Sequence, residues 1–114
     1  MLWRATEAGI EAAKPGARAC DLFDIMSHVI SEFSQEIGDI GRIGHGLGIQ
    51  LTEQPSVASF DETVLEENMV LTLEPSLSYG AGLMMVHEEN IVVTASGGQL
   101  MTVRASEDLP VLFA

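Results

Sequence analysis

Three side chains able to bind a metal stand out in this sequence. They are His45, inside Gly44-His45-Gly46-Leu47-Gly48; Glu74, followed by Pro75; and Glu88, at the head of Glu88-Glu89-Asn90. One imidazole nitrogen and two anionic oxygens from separate elements make a donor set that suits Mn, Fe, Co or Zn. A lone histidine and two glutamates also arise as scattered polar residues, so the surroundings of each decide. Glycines around His45 allow positive φ or a close approach of other chain or a ligand. Glu74 closes the run Met69-Val70-Leu71-Thr72-Leu73. Strand alternation sets it with Val70 and Thr72, opposite Met69, Leu71 and Leu73. Glu88 falls between Leu83-Met84-Met85-Val86 and Ile91-Val92-Val93. A carboxylate inside an apolar strand is costly unless paired, hydrogen-bonded or metal-bound.

The elements that must position these groups are legible as patterns. Residues 1–14 carry a partly apolar helical face through Leu2, Ala5, Gly9 and Ala12, ended by Pro15-Gly16. From Asp21 to about Ile37, Leu22, Met26, Val29, Phe33 and Ile37 recur at helical spacing. Asp21 is the expected N-cap there and Gly38 the expected stop. His28 falls on the polar side with Glu32. Residues 38–60 read as a strand edge and loop, with Arg42 as a surface residue. Asn68 stands where left-handed backbone is tolerated. Tyr79-Gly80-Ala81-Gly82 is a turn whose antiparallel arms would bring Glu74 and Glu88 together. In a regular strand His87 points opposite to Glu88, which leaves it at most a group that supports the site or faces a partner. Met84 and Met85 read as core filler, Leu100-Met101-Thr102 as a last strand, and residues 105–114 as a tail that docks or lies at an interface.

Composition bounds the rest. At 114 residues the chain is one domain at most, and 46% hydrophobic content argues against disorder. Five basic against seventeen acidic residues give a formal charge of −12, which disfavours nucleic acid and anionic membranes. The single cysteine, Cys20, excludes an intramolecular disulfide framework and fits a reducing compartment. With no signal-peptide or membrane-spanning pattern, the expected location is the cytoplasm.

Taken in order, GHGLG, Thr52-Glu53-Gln54-Pro55, Leu73-Glu74-Pro75-Ser76 and His87-Glu88-Glu89-Asn90-Ile91-Val92-Val93-Thr94 resemble the C-terminal half of the pita-bread metallopeptidases. That family includes methionine aminopeptidases, Xaa-Pro aminopeptidases and prolidases. The resemblance covers most of the chain and implies an α+β fold: a curved antiparallel sheet backed by two helices. It implies that His45 is the histidine ligand, Glu74 a glutamate ligand that can also accept a proton, and Glu88 the glutamate bridging two divalent ions such as manganese. It further implies a small peptide substrate and a homodimer.

Two departures qualify the expected activity. Thr52 stands where the family's dipeptidases and aminopeptidases carry a second histidine, and no upstream hairpin supplies two aspartate ligands. Asp21 and Asp24 read as residues at a helix start. A helical pattern already running at Met1 adds the expectation that 1–114 is a partial catalytic domain, inactive by itself. Three readings stay open: a metal-dependent hydrolase of the Xaa-Pro peptidase type, a non-peptide enzyme such as a dimethylsulfoniopropionate lyase, and a non-catalytic binding or remnant protein.

Overall fold

The computed structural model describes residues 1–33 and 41–113. Its elements run α1 (Leu2–Ala12), α2 (Ala19–Ser31), β1 (Gly44–Gly46), β2 (Glu53–Ser56), β3 (Val70–Leu73), β4 (Ser76–Tyr79), β5 (Leu83–Val86), β6 (Glu89–Thr94) and β7 (Gly97–Leu100). Five strands form one sheet in the order β2-β1-β3-β6-β7, and β4 and β5 form a two-stranded ladder. Every pairing is antiparallel. Two helices on a curved antiparallel sheet give the α+β architecture expected.

Both helices form because their apolar residues recur on one side. α1 buries Leu2, Ala5, Thr6 and Gly9, and α2 buries Ala19, Cys20, Leu22, Met26 and Ile30. They share a core with Leu71 and Leu73 of β3 and Ile91 and Val93 of β6. The sheet therefore has a helix-covered face and an opposite face on which Thr72 and Asn90 lie. Asp21 is not the N-cap. The helix starts earlier, Arg18 is the N-cap, and Asp21, at the third helical position, reaches back to accept the Arg18 backbone N–H at 2.9 Å. Ile37 and the expected stop at Gly38 lie outside the described residues. Phe33, expected in the apolar stripe, is 52% exposed.

Three strand expectations change as well. Residues 44–46 form an interior strand, β1, flanked by β2 and β3, and the sheet edge falls to β2. β7 begins at Gly97, because that residue's φ of +128° closes a tight turn on the Thr94 hydroxyl, which donates to the Gly97 carbonyl at 2.6 Å. Met84 is 64% exposed while Met85 packs on the core, since Met85 pairs with Leu77 and Met84 with Ser78. Asn68 does take positive φ, at 72°.

The decisive feature is one register that continues through two ladders. Leu73 faces Glu89 at the end of β3/β6, and Ser76 faces Val86 at the start of β4/β5. Between them the His87 N–H donates to the Pro75 carbonyl at 3.2 Å. With no residue gained or lost on either side, Glu74 lies directly opposite Glu88.

Candidate metal centre

β1 carries His45 into the middle of the sheet. A Cβ at Gly44 would run into the Thr72 carbonyl, and one at Gly46 into the Gln54 carbonyl. Neither glycine has positive φ. Of the two roles expected for these glycines, close strand approach is the one the structure uses. His45 is 6% exposed overall. Its Nδ1 lies 2.9 Å from the Gly46 carbonyl oxygen, which can only accept, so Nδ1 carries the proton and Nε2 is left free.

Nε2 faces Glu74. His45 pairs with Thr72, and Glu74 follows two residues later on the same face of the strand. The His45 Nε2 to Glu74 Oε1 distance is 3.5 Å. A nitrogen lone pair facing a carboxylate oxygen calls for a cation or proton between them. A histidine with Nδ1 tied to a backbone carbonyl and Nε2 presented outward is also how ligating imidazoles are oriented.

Glu88 sits between β5 and β6, opposite Glu74 in the register, with an exposed side chain. It avoids the burial cost expected of it; its neighbour Glu89 is the buried carboxylate, at 3% exposure. Among the described residues no three His, Cys, Asp or Glu side chains form a group that could hold a metal ion. His45 and Glu74 are brought together, and Glu88 is aligned across the hairpin without closing on them. The donors fit one wall of a divalent site, not a closed cage, because one nitrogen and two carboxylates leave further coordination positions to fill.

Polar groups continue across the same face. His45 pairs with Ser56 on one side and Thr72 on the other, and the Thr72 hydroxyl donates to Asn90 Oδ1 at 2.7 Å. Asp61 braces the edge by accepting the Ser56 N–H at 2.7 Å and the Thr63 N–H at 2.9 Å. Burial pushes the Asp61 carboxyl up, but hydrogen bonds from Thr63 and Ser56 outweigh it and hold the group below its ordinary value. Thr52 is exposed in the loop entering β2, as are Ile49 and Leu51. Arg42 is exposed, and the His28 side chain is 76% exposed.

The sequence reading gave His87 at most a supporting or partner-facing role, and the structure places it in a second polar group on the helix-covered face. His87 Nδ1 lies 3.0 Å from Thr6 Oγ1, and His87 Nε2 lies 3.7 Å from Glu89 Oε1. A cavity of about 320 Å³ opens there, lined by Trp3, Leu77, Met85, His87 and Glu107 among others and by none of the three candidate ligands. The only sequence signal was the alternation that turns His87 away from Glu88.

Comparison with known proteins follows the same pattern. The model of metallopeptidase family M24 matches residues 1–95. The Xaa-Pro dipeptidase of Pyrococcus furiosus is 37% identical over 103 residues, which is 90% of this chain and 29% of that protein. The crystal structure of the prolidase from Pyrococcus horikoshii OT3 superposes with a TM-score of 0.84 at 33% identity, covering 93% of this chain and 30% of the other. The N-terminal domain of FACT complex subunit SPT16 from Cicer arietinum shares the fold alone, with a TM-score of 0.81 at 17% identity, over 92% of this chain and 28% of that one. The chain thus spans under a third of the length of the relatives it matches. Because the family model covers residues 1–95 of the 114, this chain belongs to metallopeptidase family M24.

Proposed function

We propose that the chain supplies one wall of a divalent-metal peptidase site of the Xaa-Pro dipeptidase type, with His45, Glu74 and Glu88 as ligands. The observation that carries this is the free Nε2 of His45 directed at Glu74, with Glu88 opposite Glu74 in an unbroken register. A bound divalent ion would supply Lewis acidity toward a scissile carbonyl and toward the attacking water. In this chain His45 is held by the Gly46 carbonyl in the tautomer that offers Nε2. Glu74, partly exposed, is placed to accept a proton as well as to bind. The substrate class is a small peptide, as the names of the relatives suggest, and residues 1–114 form part of a larger catalytic domain. Manganese and a dimeric state belong to the same reading.

The test is calorimetric titration of the full chain with Mn²⁺, Co²⁺ and Zn²⁺, alongside His45→Ala, Glu74→Gln and Glu88→Gln. Each substitution is expected to weaken binding at least about ten-fold. Absence of binding by the unaltered chain, or equal affinity in all four proteins, overturns the reading. Hydrolysis of Xaa-Pro dipeptides by the metal-loaded chain is the activity arm.

A second reading, a non-catalytic binding module, draws on the absence of a three-ligand group among the described residues and on Thr52 replacing the family's second histidine. A chain that binds metal in the titration but turns over neither Xaa-Pro dipeptides nor dimethylsulfoniopropionate favours it.

A further inference from the structure

Glu88 is exposed on a short link between two strands, where a carboxylate would ordinarily swing freely. Its two neighbours do not. His87 and Glu89 alternate to the helix-covered side, where the His87 side chain is 14% exposed and that of Glu89 3%. The Thr6 hydroxyl lies 3.0 Å from the Leu2 carbonyl and 3.0 Å from His87 Nδ1, so it is hydrogen-bonded to the His87 ring from α1. That bond ties the link to α1. On the other side of Glu88, the Ala105 backbone N–H donates to Glu89 Oε1 at 3.1 Å.

Ala105 is itself fixed. The Trp3 indole N–H donates to the Ala105 carbonyl at 3.0 Å. Arg104 lies 3.6 Å over the Trp3 ring, donates to the Trp3 carbonyl at 3.0 Å and pairs with Glu7. Arg4 meets Glu107 at 3.4 Å. Residues 104–107 thus form a strap bound across the start of α1, and it hydrogen-bonds to the sheet at the carboxylate beside Glu88. A guanidinium stacked on an indole and ion-paired is a strong local fastening.

We infer that Thr6 and the Arg104 strap are positioning elements for Glu88. They hold the peptide on either side of it from the helix face, so that its carboxylate is presented to the metal wall in a fixed direction. The inference rests on Glu88 being a ligand, as proposed above. It adds that ligand quality is set by residues on the far face of the sheet, none of which can touch a metal. Fixing a ligand's backbone and its supporting bonds governs affinity much as direct ligation does.

The test uses the full chain with Thr6→Val, Thr6→Ser and Arg104→Ala, and two readouts. Amide hydrogen exchange without metal is expected to rise at residues 87–90 in Thr6→Val and Arg104→Ala, while the α2 core around Leu22 and Met26 keeps its protection. Mn²⁺ titration is expected to show about ten-fold weaker binding in both variants and near-normal binding in Thr6→Ser, which keeps the hydroxyl. Unchanged exchange at 87–90, or a rise spread evenly over the chain, overturns the inference. So does local loosening without loss of Mn²⁺ affinity. Binding that is lost in Glu88→Gln but normal in Thr6→Val and Arg104→Ala overturns this inference alone, whereas absence of binding by the unaltered chain overturns the ligand assignment beneath it.

Discussion

At the scale of single residues, the candidate centre depends on how near the backbone of β1 lies to its neighbours. Gly46 touches the Gln54 carbonyl where any side chain would stand, and the obstacle is main chain, which cannot rotate away. Gly46→Ala is expected to destabilise the fold by about 2 kcal/mol or more through forced strand displacement. Urea denaturation monitored by circular dichroism measures this, and a loss below about 0.5 kcal/mol would show that β1 and β2 have room to part. The imidazole between such glycines was legible from residue types alone, because few other arrangements use glycine on both sides of a histidine. Which of Glu88 and Glu89 faces which way was harder to read. Adjacent identical residues carry no difference in type, and their faces follow from a register fixed by the hairpin at Gly80 and Gly82, both at positive φ.

At the scale of elements, the helices were legible because their buried positions recur at the helical period, and their ends less so. Asp21 looked like a cap by its type, but its partner Arg18 precedes the apolar stripe and gives no capping signal of its own. Met26, fully buried in the layer between α2 and the sheet, is expected to cost about 2–5 kcal/mol on truncation to Ala. Phe33, half exposed in the turn just after α2, should cost far less. Thermal melts of the two variants compare them, and similar losses would contradict the layer assignment. The loop that leads into the edge strand gives a pH prediction. The Asp61 carboxyl sits below its ordinary value of 3.8 in the folded chain, so its stabilising contribution is complete above that value. It is lost as pH falls through the lower folded value. Asp61→Asn should therefore flatten the acid limb of the stability curve below about pH 3.8, a change read from denaturation midpoints across the acid range.

At the scale of the whole molecule, charge and metal act together. A formal charge of −12 makes the folded chain repel itself. Raising ionic strength at fixed pH is expected to raise the melting temperature. Millimolar Mn²⁺ should raise it further, and a chelator should abolish the second increment but not the first. Equal effects of Mn²⁺ and of matched ionic strength would speak against a specific site. Among the described residues no helix is long and apolar enough to cross a membrane. The fastening of residues 104–107 to α1 was invisible in the sequence for a plain reason: Arg104 and Trp3 stand at opposite ends of the chain. No local period joins them, and the expectation of a docking tail reached only as far as its existence. Beyond Glu107, Leu109, Val111, Leu112 and Phe113 are exposed.

The unbroken pairing of the hairpin arms also bears on how this centre tolerates change. A strand alternates sides with every residue, so loss of Ala81 between Gly80 and Gly82 would turn everything after it to the other side. In most ligand-bearing strands such an event erases the donor. Here the next residue is also a glutamate, so a slipped chain would still show a carboxylate to the open face, while the strap and α1 would receive the wrong partner. Shortening of this hairpin should therefore be felt first as a loosened α1 and only afterwards as a missing acid.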